Sequence, residues 1–124
     1  MKKTIEDIAA EDSRYNAKAL RFVYEGLGLA VEKIRQNDEG PEPRHISGQE
    51  FSEVLTSIAM ERWGRLAKVV LNHWNINTTR DMGEIVYLLI ANNLMSTQEN
   101  DTIEDFDDVL DFEEVFEKRF RFEI

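Results

Sequence analysis

The sequence predicts a mainly α-helical, single-domain protein, and three observations lead to that prediction. Apolar residues recur at steps of three and four over most of the first three quarters of the chain. Serine and threonine residues followed three positions later by an acid mark several helix starts. A chain of 124 residues with 42% hydrophobic side chains can bury one core. We therefore expect residues 1–124 to form a compact bundle of about five helices.

The first two helices are predicted at residues 4–12 and 17–36. Thr4 followed by Asp7 is typical of an N-cap with an acid in the first turn. The second helix follows Asn16, and its apolar stripe recurs at helical spacing in Leu20, Val23, Leu27, Ala30 or Val31, and Ile34. Gly26 and Gly28 lie inside it, where they are either tolerated or allow another element to pack closely.

A loop is expected at residues 37–43, where Gly40, Pro41 and Pro43 interrupt the helical pattern. Residues 44–46 are predicted to form at most a short extended segment. Ser47 and Glu50 then form a capping box, in which each side chain accepts a hydrogen bond from the other residue's backbone amide. The third helix is expected at 48–62, with its buried face formed by Phe51, Val54 or Leu55, and Ile58 or Ala59.

Two more helices are predicted around a short loop. Leu66, Val69, Val70, and His73 or Trp74 continue at helical spacing, which predicts a helix at 65–74. Thr78 and Asp81 repeat the cap pattern and predict a helix at 79–93. The pair resembles a helix-turn-helix arrangement in outline.

Two interpretations of the chain after residue 94 remain open. Residues 94–98 and 109–112 are compatible with two strands of a hairpin, which would give a small two- or three-stranded sheet in winged-helix-like order. Alternatively, apolar residues line an imperfect helix: Phe106, Val109, Leu110, Phe112, Phe116 and Phe120.

Most of the net charge of −10 lies near the C-terminus. Residues 99–124 contain 11 acidic and 3 basic residues, a balance of −8, so residues 1–98 carry about −2. Solvated acidic tails usually lack aromatic residues. We therefore expect a helical body at 1–98 with a docked acidic segment at 99–124. That segment offers a possible interaction surface: Phe106, Val109, Phe112, Phe116 and Phe120.

Composition and spacing argue against several classes of function. The absence of cysteine excludes disulfides, thiolate metal sites and cysteine nucleophiles. His45 and His73 show no ligand spacing, and the acids around Asp105 lack the EF-hand pattern. No apolar run is long enough for a membrane span, which predicts a cytoplasmic protein. We assign no catalytic, cofactor-binding or metal-binding residues, expect no cofactor, and predict that the protein is not an enzyme.

Five short motifs resemble one protein family: RHISGQE at 44–50, WNI at 74–76, DMGEIV at 81–86, DFDDV at 105–109 and DF at 111–112. The chain resembles the Verruc/Plancto-restricted conserved hypothetical proteins over nearly its whole length. The resemblance implies a small bacterial protein of uncharacterised function. It supplies no activity, cofactor or catalytic residue for transfer to this sequence.

Two functional hypotheses follow. The first is a non-enzymatic interaction or regulatory module that binds a protein partner or itself through the aromatic, acidic segment or an apolar helix face. The alternative is a winged-helix-like nucleic-acid-binding protein that reads DNA with the helix at 79–93. Arg80 is the only cation of that helix, which argues against phosphate contact. Arg62, Arg65 and Lys68 follow steps of three, and pairing with the acidic segment is favoured for them over phosphate binding.

Overall fold

The structure of the chain is a computed structural model that describes residues 3–37, 46–96 and 101–118. Five α-helices occur in these residues: α1 (Ile5–Asp12), α2 (Ala17–Asn37), α3 (Gly48–Trp63), α4 (Ala67–His73) and α5 (Thr79–Ala91). A 3₁₀ turn, Gly64–Leu66, connects α3 to α4. Two further turns follow α5, a 3₁₀ turn at Ile103–Phe106 and a π-helical turn at Glu113–Lys118. The predicted mainly α class is confirmed.

Local hydrogen bonds explain where three of the helices begin. The Thr4 hydroxyl accepts from the Asp7 amide at 3.1 Å, and the Asp7 carboxylate accepts from the Thr4 amide. The same reciprocal pair forms between Ser47 and Glu50 at the start of α3. Thr78 and Asp81 form it at the start of α5. Each box satisfies backbone amides that an α-helix leaves without an internal partner.

Helix α2 occupies the centre of the bundle and packs against α1, α3 and α5. Its buried stripe includes Ala19, Leu20, Val23 and Ala30, which are all fully buried. Gly26 lies where α3 crosses, and a Cβ at this position would overlap the side chain of Leu55. Helix α5 adds a second apolar stripe to the same core: Met82, Ile85, Val86 and Leu89.

The predicted small sheet is not present in the described residues, because no strand occurs in 3–37, 46–96 or 101–118. In place of a hairpin strand at 109–112, the chain passes from the turn at Ile103–Phe106 into the π-helical turn at Glu113–Lys118. The described residues form helical turns instead, and Phe106, Phe112 and Phe116 are buried in or beside these turns. Residues 44 and 45, predicted to be extended, lie outside the described residues, as does most of the predicted loop at 37–43.

Candidate interaction surface

The first part of the acidic segment is anchored between α3 and α5 by Phe106. Its ring lies against Gly48 of α3 and Gly83 of α5, and a Cβ on Gly83 would lie 2.7 Å from both Cβ and Cγ of Phe106. Phe51 packs edge-on to the ring, with centroids 6.5 Å apart. We call this space, lined by Gly48, Phe51 and Gly83, the Phe106 slot. Two glycines therefore allow the segment to approach the helix backbones closely.

Backbone atoms beside Phe106 are also held by α5. The buried hydroxyl of Thr79 donates to the Phe106 carbonyl at 2.6 Å and accepts from the Val109 amide at 3.2 Å. Arg80 pairs with Asp107 at 2.9 Å. These contacts satisfy two polar backbone groups at the edge of the core, where an unpaired group would be costly. Residues 103–109 are therefore docked through both side-chain and main-chain contacts.

The two glycines Gly83 and Gly28 give a matched pair of predictions, because both lie within helices but have different surroundings. Gly28 has no atom within 4 Å of an added Cβ, so Gly28→Ala should stabilise the protein by about 0.5–1 kcal/mol through helix propensity. Gly83→Ala gains the same propensity but overpacks against Phe106, so a net loss of about 1–2 kcal/mol is expected. Urea unfolding followed by circular dichroism measures both. Equal stabilisation by the two substitutions would show that the Phe106 slot is not tight.

The second part of the segment packs on α4. Phe112, Val115 and Phe116 are buried, and the Phe112 and Phe116 rings lie 5.3 Å apart. The π-helical turn contacts α4 and the turn at Gly64–Leu66, and Lys68 pairs with Glu117 at 3.2 Å. The segment described here, 101–118, is thus part of the folded body.

The predicted surface of apolar C-terminal residues therefore consists largely of buried side chains. Phe106, Phe112 and Phe116 are 3%, 4% and 1% exposed, and Val109 is half-buried. Phe120 lies outside the described residues. A partner cannot contact the three buried rings without displacing the segment from its own helices. Helical spacing alone could not show which of these residues the chain's own helices cover.

A series of ion pairs of alternating charge connects the α1–α2 turn, α5 and Asp107. Arg14 pairs with Asp12 at 2.8 Å and with Glu84 at 3.1 Å, and Arg80 joins Glu84 to Asp107. The hydrogen bond from Arg14 lowers the pKa of Asp12, and the bond to Asp12 raises the pKa of Arg14. Bonds to Asp107 and Glu84 raise the pKa of Arg80. The only cation of α5 is thus already paired with acids.

Tyr15 and Asp81 connect the α1–α2 turn to the cap of α5. The Tyr15 hydroxyl donates to Asp81 at 2.8 Å, while the other Asp81 oxygen accepts from the amides of Asn77 and Thr78. Burial and the neighbouring carboxylate raise the pKa of Tyr15, so the phenol stays protonated as a donor. Asp81 was predicted as a cap from sequence, whereas its bond to Tyr15 depends on residues 66 positions apart.

The most exposed large apolar side chains of the described residues lie at α4. Leu66 and Val69 are each 63% exposed, compared with 42% for Tyr24 and 46% for Leu29 on α2. They are three residues apart, the spacing of neighbours on a helix surface, and exposed His73 follows Val69 by four. Helix α4 instead buries Ala67 and Leu71. We name Arg62, Arg65, Leu66, Val69 and His73 the α4 surface.

An aromatic cluster borders the α4 surface. Trp63 precedes the turn into α4 and Trp74 follows the helix; their ring centroids lie 5.3 Å apart, edge to face. Phe22 of α2 completes the cluster at 5.4 Å and 5.9 Å from the two indoles. Phe22 is buried, whereas both indoles are half-buried. The two tryptophans therefore flank α4 in the chain and remain partly accessible to solvent.

Two further features of the described residues concern metal ions and membranes. The described side chains include no group of three or more histidines and carboxylates arranged to hold a metal ion. His73 is exposed on α4, and His45 lies outside the described residues. None of the helices in the described ranges is both long and apolar enough to span a membrane.

The chain was compared with protein-family models, with curated proteins and with solved structures, and none of the three comparisons finds a match. The family resemblance based on the five motifs stays a prediction. Any functional proposal therefore rests on the geometry of the described residues.

Proposed function

We propose that the protein is a non-enzymatic protein-interaction module that binds its partner through the α4 surface. The observation that carries the proposal is the exposure of Leu66, at the end of the 3₁₀ turn before α4, and of Val69, in the first turn of α4. Interfaces between proteins commonly have an apolar centre surrounded by polar side chains. Arg62, Arg65 and His73 supply such a polar rim around the two apolar residues.

The supporting helix is held rigidly enough to present a defined surface. Buried Ala67 and Leu71 fix α4 on the body, and the Trp63–Trp74 pair packs beside it. On another side, Lys68 is tied to Glu117 of the π-helical turn. A surface on a packed helix loses little conformational entropy when a partner binds, which favours affinity. Helix α4 and the turn before it therefore combine buried residues that hold the helix on the body with the most exposed large apolar side chains of the described residues.

The test is affinity capture from the native cell with the full-length chain and a Leu66→Ser, Val69→Ser double variant. Both substitutions affect exposed side chains, so the fold should be retained and circular dichroism should be unchanged. We expect the double variant to capture at least about tenfold less of each protein held by the wild type, because both substitutions put a polar side chain at the apolar centre of the surface.

Leu29→Ser is the matched control, since Leu29 is also exposed but lies on α2. This variant should capture the same proteins as the wild type. If the double variant retains the wild-type set, or if Leu29→Ser loses it equally, the α4 surface is not the site of interaction and the proposal fails.

A further inference from the structure

We propose that the partner of the α4 surface is an acidic, amphipathic helix, an inference that rests on the proposed function. Residues 62–80 contain no aspartate or glutamate, although the whole chain has 25 acids. The same stretch holds four cations: Arg62, Arg65, Lys68 and Arg80. The π-helical turn that packs against α4 adds Glu113, Glu114 and Glu117, of which Glu117 pairs with Lys68, so attraction for negative charge depends on the less engaged cations.

Two of the four cations are already paired with acids, whereas Arg62 and Arg65 are less engaged. Lys68 pairs with Glu117, and Arg80 pairs with Glu84 and with Asp107. Arg62 approaches Glu25 only at 4.0 Å, and the two side chains are 41% and 51% exposed. Arg65 is exposed and has no ion pair among the described residues. Arg62 and Arg65 can therefore contact partner acids at the rim.

The shape of the surface selects a helix as the partner. Leu66, Val69 and His73 form one short row, and the half-buried Val70 and Trp74 extend it towards the aromatic cluster. A partner helix with apolar residues at i, i+3, i+4 and i+7 can cover such a row with one face. Glutamates beside that apolar face would then lie close to Arg62 and Arg65, which adds specificity and speeds association.

Two other occupants fit less well. A second copy that placed the same surface face to face would bring its arginines close to those of the first, and like charges across an interface are unfavourable. A nucleic acid would satisfy the arginines but leave Leu66 and Val69 without apolar contacts. The apolar centre and the basic rim together favour an acidic peptide.

The test uses three probes with the full chain: a synthetic amphipathic helix with leucines on one face and flanking glutamates, the same peptide with lysines in place of glutamates, and a mixed DNA duplex. Fluorescence of Trp63 and Trp74, the chain's two tryptophans, reports binding next to α4. We expect the glutamate peptide to bind at least about tenfold more tightly than the lysine peptide, and its affinity to fall with added salt.

Arg65→Glu should lower the affinity for the glutamate peptide by about fivefold or more. Lys18→Glu is the matched control, since it makes the same charge change on an exposed position of α2 and should have little effect. The inference is overturned if both peptides bind equally, if the duplex binds more tightly, or if Lys18→Glu weakens binding as much as Arg65→Glu.

The outcome separates this inference from the proposed function. If the glutamate peptide does not bind at up to about 1 mM, while capture from cells still depends on Leu66 and Val69, the surface has a partner that is not an acidic helix. Sedimentation of the purified chain tests whether the chain associates with itself. Self-association that is lost in Val69→Ser would identify a second copy as the occupant and would also overturn the inference.

Discussion

Replacing Phe106 with alanine is expected to lower the free energy of unfolding by about 3–5 kcal/mol, as is typical of phenylalanine truncation in a core. The ring is 3% exposed, and the Phe106 slot is formed partly by the backbones of α3 and α5 at Gly48 and Gly83. Helix backbone cannot move in to fill the cavity easily, so the cost should lie towards the upper end of that range. Urea unfolding followed by circular dichroism measures it.

Phe106→Leu provides the control for this result. It retains most of the apolar volume and should cost less than about 1.5 kcal/mol. Hydrogen exchange adds a local measurement, because the Val109 amide is bonded to Thr79 only while the segment is docked. Its exchange should accelerate in Phe106→Ala. A loss of stability below about 1 kcal/mol would contradict the conclusion that Phe106 anchors the segment.

The second large effect is expected for Thr79→Val, which should destabilise the protein by about 2–4 kcal/mol. Thr79 is fully buried, and its hydroxyl serves both the Phe106 carbonyl and the Val109 amide. Valine fills the same space but satisfies neither group, so two backbone atoms lose a partner at the edge of the core. Thermal and urea unfolding of the full chain provide the measurement.

Thr56→Val is a matched control for the loss of a buried hydroxyl. Thr56 is also buried, but its hydroxyl donates to the Ser52 carbonyl one turn earlier in the same helix. Loss of this local bond should cost less than about 1 kcal/mol, because that carbonyl also serves the helix backbone. Thr79→Ser should retain most of the wild-type stability. If Thr56→Val and Thr79→Val lower the free energy of unfolding equally, the Thr79 bonds to the docked segment contribute no more to stability than a local helix bond.

These effects change how the C-terminal segment is best studied. Deleting residues 99–124 would remove Phe106, Phe112, Val115 and Phe116 from the core, so the remaining helices would not be left intact. A loss of binding after such a deletion would not distinguish an interface from unfolding. Single exposed substitutions at Leu66, Val69 and Arg65 leave the core untouched and test the interaction directly.

The sequence by itself determined the helices and most of their starts. Ser47 with Glu50, and Thr78 with Asp81, act within four residues, so their capping geometry can be predicted without any tertiary contact. The five observed helices begin and end within about two residues of the expected positions. A fourth pair was not predicted: the Asp105 carboxylate accepts from the Thr102 amide at 3.2 Å, in the pattern seen at Thr4 and Asp7.

Only the tertiary structure decided which apolar residues are covered. Helical spacing marks Leu66 and Val69 as readily as Phe106 and Phe116, because periodicity describes one element and not its neighbours. In the folded chain, two glycines on different helices make room for Phe106, while no described element covers Leu66 or Val69. Burial depends on contacts between residues far apart in the chain. Local sequence therefore determined the helices, and long-range packing selected the surface proposed for binding.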